Sequence, residues 1–300
     1  MKKKGRGRKG PAAVLLVLTL ITAFALYGVI NARTVRVVYG EASLKGLDYR
    51  LDGVKILYVS DLKLSSVNEA KHAVKLLKRL SELAPDVILI GGDITSYDLL
   101  SSFRLKTGIN TETEERDRLL SARDEFLRGV SEISVPVSIF AVTGDKDLPL
   151  TQSEKSRTKV YFLEDKGVNL NIRGATLPLY GTGSATFNLT GSGTSPMIIM
   201  FHDPSLYGKA ALRASERSPE AGSYLLLSAH TLGGQVRIGN MFAYQSDLNR
   251  RYTLAADSNG IYSDGSNIKM LISSGIGSEL IPFRIGTTPK AYLITLRAAS

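Results

Sequence analysis

Five residues able to hold a divalent metal, Asp61, Asp93, Asp145, His202 and His230, each follow or close a short apolar run. They sit in five short clusters: Tyr58-Val-Ser-Asp61-Leu-Lys63, Gly91-Gly92-Asp93, Gly144-Asp145-Lys146-Asp147, Phe201-His202-Asp203-Pro204 and Ala229-His230-Thr-Leu232-Gly233-Gly234-Gln235. Side chains at the carboxyl ends of buried strands in an open α/β sheet gather on one edge. Carboxylate oxygens and imidazole nitrogens meeting there suit Zn, Mn or Fe. The chain has no Cys, which excludes thiolate ligation and disulfides. It has three His; the third, His72, falls on a predicted helix as an exposed residue. Any one cluster alone reads as a turn or a helix cap, but five in this order do not. Ser228 and His230 lack the Gly-x-Ser-x-Gly elbow of a Ser nucleophile, so a triad is not expected. Gly181-Thr-Gly183 and Gly191-Ser-Gly193 lack a P-loop ending and read as loops.

The elements that must position these residues are legible from periodicity. Val54–Ser60 and Asp86–Ile90 are compact apolar runs, as in strands buried on both faces. Between them, Ala70, Ala73, Val74, Leu77 and Leu80 recur at helical spacing over Glu69–Leu83, and Pro85 ends the pattern. This is a βαβ unit. A second helix is predicted over Glu115–Val130, with Leu119, Leu120, Phe126, Leu127 and Val130 on its apolar face, then a strand over Val137–Val142. Further strands are predicted at Met197–Phe201, Tyr224–Ser228, Ile268–Ser273 and Ala291–Leu296, with a flexible loop at Thr190–Ser195. Strands with interspersed helices, then mainly strands, indicate a mixed sheet pair covered by helices.

The formal charge of +10 is local in origin: Lys2, Lys3, Lys4, Arg6, Arg8 and Lys9 are six of the 38 basic residues, leaving 32 against 28 acidic ones. A broad phosphate-tracking surface is not indicated, and no nucleic-acid partner is expected. Pro11–Ala32 then runs 22 residues without a charge, enough to cross a hydrocarbon core of about 30 Å. Basic residues stay on the cytoplasmic side, so the rest of the chain is expected outside the cytoplasm on a single-pass anchor. A signal peptide cleaved near Ala23-Phe24-Ala25 is the alternative; the apolar run continues past that triplet, which favours an uncleaved anchor. The expected organisation is a basic tail at 1–10, an anchor at 11–32, a linker with the first strands at 33–53, and the main domain at 54–300.

Taken together, Ser60-Asp61-Leu62, Gly91-Gly92-Asp93, Gly144-x-x-Asp147 and Thr231-x-Gly233-Gly234-Gln235 resemble the metal-binding motifs of the calcineurin-like metallophosphoesterases, in a membrane-linked bacterial branch. The resemblance implies an α/β, four-layer αββα sandwich of two mixed sheets flanked by helices, and two metals that clamp a phosphate. Carried over, Asp61 serves the first metal, Asp93 bridges both, and His202 and His230 serve the second with Asp145 where the family has Asn. Further positions depart from the pattern, among them Ala229 in place of the Gly that opens the Gly-His-Thr-His-Gly-Gly-Gln run. Lys63 replaces a His of the first metal site, Leu232 replaces the second His of the Gly-His-Thr-His-Gly-Gly-Gln run, and Lys146 replaces the catalytic His.

Protonated Lys has no lone pair and Leu offers none at any pH, so the first metal keeps only Asp61 and Asp93. Asp93, Asp145, His202 and His230 remain a complete set for one Mn, Zn or Fe. Alternatively, Lys63 and Lys146 form an ion-pair cluster with the carboxylates in place of cations. The expectation is a membrane-anchored protein with a degenerate centre that acts by binding a phosphorylated lipid or envelope ligand. The alternative is an active single-metal phosphohydrolase on a lipid or cell-envelope phosphoester, and an adhesive envelope protein is a third class.

Overall fold

A computed structural model describes residues 9–189, 196–217, 223–256, 260–263 and 267–299. The basic tail through residue 8 and the loop expected at 190–195 lie outside the described residues. Helix α1 (Lys9–Ala32) carries the apolar segment, and Pro11–Ala32 is long and apolar enough to cross a membrane. Strand β1 (Arg36–Lys45) follows almost at once, then β2 (Lys55–Val59), helix α2 (Val67–Ser81) and β3 (Val87–Ile90). Helices α3 (Leu99–Thr107) and α4 (Glu112–Val130) precede β4 (Ile139–Ala141); α5 (Gln152–Arg157) precedes β5 (Val160–Phe162), β6 (Lys166–Ile172), β7 (Ala175–Thr182) and β8 (Met197–Phe201). Helix α6 (Tyr207–Arg217) leads to β9 (Tyr224–Ser228), the short hairpin β10 (Arg237–Ile238) and β11 (Met241–Phe242), and then β12 (Ile261–Ser263), β13 (Ile268–Ile272) and β14 (Lys290–Ala299).

Two six-stranded mixed sheets form, in the orders β1-β14-β2-β3-β4-β5 and β12-β13-β9-β8-β7-β6. The period of two along each strand explains the layering. Ile56 and Tyr58 of β2 enter the core between the sheets, where they meet Ile198, Met200 and Leu227 of the other sheet. Leu57 and Val59 face the opposite way, against Ala70, Val74 and Leu77 of α2 and Phe126 of α4. On the far side, Ile199 and Phe201 pack on Tyr207, Ala210 and Ala214 of α6. The result is the expected four-layer sandwich of helices and two sheets.

Helix α2 buries the five apolar residues that its spacing marks, and Ser66 caps it by accepting the Glu69 N–H. Helix α4 begins in a capping box, with Thr111 and Glu114 satisfying each other's backbone donors. Leu120, expected on its apolar face, is only half-buried, while Glu115 and Arg123 are buried. Within residues 33–53, where the first strands are expected, β1 pairs in parallel with β14 from Arg36↔Lys290 to Lys45↔Ala299. Gly181 and Thr182 belong to β7 rather than to a loop, paired with Met200 and Phe201.

The register fixes which end of the sandwich meets α1. β1 starts beside the end of α1, opposite Lys290, and β14 runs antiparallel to β2 with Tyr292 opposite Tyr58. The carboxyl ends of β2, β3 and β4, which are mutually parallel, therefore lie at the α1 end of the sheet.

Candidate metal centre

Each cluster named from the sequence lies where a strand stops. Asp61 follows β2, Asp93 follows β3, Asp145 follows β4, His202 follows β8 and His230 follows β9. The chain turns sharply at most of them: Asp61, Lys63, Asp93, His230 and Leu232 all have positive φ, between 48° and 68°. Such backbone is uncommon outside Gly and gathers at functional sites. The turns are tied together, since Asp61 N–H donates to Gly92 O (2.9 Å) and Lys63 N–H to Asp93 O (3.0 Å). At Gly144 a Cβ would lie 2.1 Å from Asp93 Oδ1 and 2.6 Å from Asp93 N, so only Gly admits the approach. Asp147 locks this loop by accepting the Gly144 N–H (2.9 Å) and the Thr95 N–H (3.1 Å). Burial, with Asp93 nearby, pushes its carboxyl up to about 6.

Four of the five predicted residues present donor atoms to a common point. One ligand atom each from Asp93, Asp145, His202 and His230 lies within 4.8 Å of all the others. His202 Nε2 is 3.4 Å from Asp93 Oδ2 and 3.3 Å from Asp145 Oδ1. His230 Nδ1 is 3.0 Å from Asp145 Oδ1 and 3.3 Å from His202 Nε2. Gly91 O lies 2.8 Å from His202 Nδ1; a carbonyl only accepts, so that nitrogen carries the proton and Nε2 turns its lone pair inward. His230 Nε2 faces the Gln245 side-chain amide at 2.6 Å, leaving Nδ1 for the centre.

Asp61 stands at the edge of this set. Its Oδ2 accepts from Ser60 Oγ (2.8 Å) and from the His230 N–H (3.3 Å). Its Oδ1 is buried with no hydrogen-bond partner among the described residues, 3.9 Å from His202 Nε2. A buried carboxylate oxygen without a partner is costly unless a cation satisfies it. This orphaned oxygen and the converged nitrogens and oxygens suit a divalent ion.

The substituted positions take three different places. Lys63 is inside: its Nζ is 2.8 Å from both Asp93 Oδ2 and Glu279 Oε2, with its side chain fully buried. Burial opposes its charge, but Asp93 and Asp61 outweigh burial and hold the ammonium well above the usual lysine range. Leu232 is also inside, completely buried. A Cβ at Gly275 would lie 2.7 Å from Asp61 Cβ and 2.8 Å from Leu232 Cδ2, so those two side chains flank the same narrow gap. Lys146 is outside. Its side chain is 42% exposed and its ammonium lies 3.0 Å from Asp145 Oδ2, while its backbone N–H donates to Asp93 Oδ1 (2.9 Å). A buried cluster holding both lysines therefore does not form; only Lys63 enters it.

The electrostatics follow from this packing. Burial raises Asp93, but hydrogen bonds and charge from His202 and Lys63 hold its carboxyl well below the usual range. Hydrogen bonds from His202 and His230 do the same for Asp145. Burial pushes Asp61 up, against His202 and Lys63. His202 is lowered by burial and raised more strongly by Asp145 and Asp93. A metal and a proton thus compete for the same imidazole lone pair.

Some members of the site escaped the sequence reading. Glu279 lies in the loop after β13, in Ser273-Ser-Gly-Ile-Gly-Ser-Glu279, too far past the strand's end at Ile272 for the strand-end rule that marks Asp61. Gln235 holds it by two backbone bonds, from Nε2 to Glu279 O (2.9 Å) and from Glu279 N–H to Oε1 (2.7 Å). Arg284 is fully buried and donates to Leu232 O (3.1 Å) and Ser274 O (2.8 Å); burial lowers it to about 10. Nothing in its sequence context distinguishes it.

No family model matches the chain. Over 292 residues, 95% of the chain, it is 24% identical to a protein of Danio rerio named "Transmembrane protein with metallophosphoesterase domain", of which it spans 63%. It is 25% identical over 263 residues to "Phosphodiesterase YaeI" of Escherichia coli (strain K12), covering 81% of this chain and 82% of that one. With "Uncharacterized protein YpbG" of Bacillus subtilis (strain 168) it shares 22% identity over 253 residues, 80% of each chain. The chain keeps the strand-end Asp and His residues in this order on a two-sheet sandwich and aligns along nearly all its length, at low identity, with proteins named for a metallophosphoesterase domain, a similarity that supports kinship with the calcineurin-like metallophosphoesterases.

Proposed function

We propose that this is a membrane-anchored member of the family that binds a phosphoester at a one-metal centre and does not carry out two-metal hydrolysis. The reading rests on the ammonium of Lys63, 2.8 Å from Asp93 Oδ2 in a fully buried pair, where the family pattern would place a ligand of the first metal. Asp93, Asp145, His202 and His230 would hold the one metal, Mn, Zn or Fe by ligand type. Bound there, it would polarise a phosphoryl oxygen. Lys63 supplies fixed positive charge beside Asp93 but no lone pair. Lys146, at the catalytic His position, is turned outward onto Asp145. The carboxyl-end edge of the sheet is the edge nearest the anchor, which supports a ligand presented at the membrane, a phosphorylated lipid or envelope molecule. The basic residues before α1 support a cytoplasmic N-terminus with the main domain outside.

An active single-metal hydrolase is the second reading. It is favoured by the unpartnered Asp61 Oδ1, which leaves an acceptor beside the donor set.

The full chain in detergent, loaded with Mn or Zn, is expected to carry one metal by elemental analysis and to lose it on His202→Ala. It is expected to leave a chromogenic phosphodiester unhydrolysed. Turnover that vanishes with His202→Ala would establish the second reading; two metals per chain would overturn both.

A further inference from the structure

We infer that the main domain has a second membrane contact of its own, an apolar foot beside α1 that seats in the lipid bilayer. It begins with a helix built inside out. In α3, Leu100 and Phe103 are 62% and 55% exposed, Leu99 is also exposed, and the residue buried is Ser101. A surface helix on a water-facing domain shows the opposite pattern, with its apolar stripe toward the core. Ser101 is held inward by Asp98, which accepts from both its N–H and its hydroxyl at 2.6 Å.

The foot continues through the backbone. Leu99 N–H donates to Leu280 O (2.9 Å), and Leu280 and Ile281 are themselves exposed. The hairpin of β10 and β11 joins from the other side: Arg237 N–H donates to Ile285 O (2.7 Å), and the tip presents Ile238 and Met241 to the outside. Three apolar outcrops thus hang on one loop, Leu280 to Ile285. An apolar surface gathered in this way marks an interaction site.

What covers it follows from where the loop lies. Phe283 packs edge-on against Phe24 of α1 (6.2 Å between ring centres). Arg284 N–H donates to Gly28 O (3.0 Å), and Asn31 Nδ2 donates to Arg284 O (2.9 Å) and Thr287 O (2.7 Å). Phe24, Gly28 and Asn31 all belong to the apolar span Pro11–Ala32, and Phe24 lies about 12 Å along the axis from its end at Ala32. A loop packed alongside that stretch is level with the membrane, and its apolar neighbours come with it. Arg33 and Arg36, exposed just past the helix, are placed at headgroup height, as basic residues at a span's end commonly are. The occupant is therefore the bilayer's interfacial layer rather than a second protein.

Because the chain has no Cys, a single fluorescent label can be placed by Leu100→Cys, Phe103→Cys or Ile281→Cys, with Tyr49→Cys as reference. Tyr49 lies beyond the far end of the ten-residue β1, about 33 Å from its start. The labelled full chain is reconstituted into phosphatidylcholine–phosphatidylglycerol vesicles. The labels at 100, 103 and 281 are expected to be quenched severalfold more by a bilayer-dissolved nitroxide than the label at 49, and severalfold less by aqueous iodide. Labels at 100, 103 and 281 that behave like the label at 49 would overturn the inference. So would labels shielded from both quenchers, which would show that a protein surface covers the foot.

Discussion

Lys63 and Asp93 form an ion pair of 2.8 Å with neither side chain exposed, and Glu279 completes it at the same distance from the ammonium. Breaking a buried pair leaves uncompensated charge, which costs about 3–5 kcal/mol. Lys63→Ala is therefore expected to lower the unfolding free energy by that amount in a denaturant titration. The combination Lys63→His, Leu232→His and Lys146→His is expected to bind a second divalent ion by elemental analysis, because at 63 and 232 it returns imidazoles to turns whose left-handed backbone is already in place. A triple variant that still binds one metal would show that the cavity around Lys63 has closed to cations.

Gly144 brings the β4 loop against Asp93 more closely than any side chain allows, with a Cβ falling 2.1 Å from Asp93 Oδ1. Gly144→Ala should displace Asp145 from His202 and His230 while leaving the sheets intact. A metal titration is expected to show a loss of affinity of about 10- to 100-fold, the usual scale when an outer support of a metal site is removed. Unchanged far-UV circular dichroism would separate this from unfolding.

The sequence carries the site's framework well and its occupants less well. Strand-end Asp and His residues are legible because β2, β3, β8 and β9 are buried on both faces and read as unbroken apolar runs. Helix α2 is legible because one stripe is apolar and the rest polar. Helix α3 is not, since its apolar residues face outward and the pattern is reversed. Helix α6 buries small Ala210 and Ala214, which give little periodic signal. Glu279 and Arg284 belong to a loop fixed by long-range contacts to Lys63 and Leu232, and no local pattern encodes such partners.

Glu115 is buried between Arg104 of α3 and Arg118 of α4 and accepts from Asn110 (2.8 Å). The Arg104 hydrogen bond, working against burial, holds its carboxyl down to about 2 from an ordinary value of 4.5. A depressed carboxylate adds stability that is present above the unfolded value and is lost as pH falls toward the folded one. Glu115→Gln is thus expected to cost about 1–2 kcal/mol at pH 7, the partly exposed arginines limiting the effect. The cost should shrink between pH 4.5 and 2. Thermal melts across that range measure it; a cost that stays constant with pH would show that the pair is not the source.

Arg284 joins α1 to the loops of the candidate metal centre, since its backbone N–H donates to Gly28 O (3.0 Å) while its guanidinium holds the carbonyls of Leu232 and Ser274. Gly28 lets Phe283 lie against the helix, for a Cβ there would be 2.2 Å from the ring. Gly28→Leu should push the loop off α1 and release Arg284 from its backbone partner. Faster amide hydrogen exchange is then expected at Thr231–Gln235 and Ser274–Gly277, together with weaker metal binding. Adding Phe283→Ala removes the obstructing ring and should restore both. Rescue by that second change ties the effect to the helix contact, because a generally misfolded chain would not recover when a further side chain is cut away.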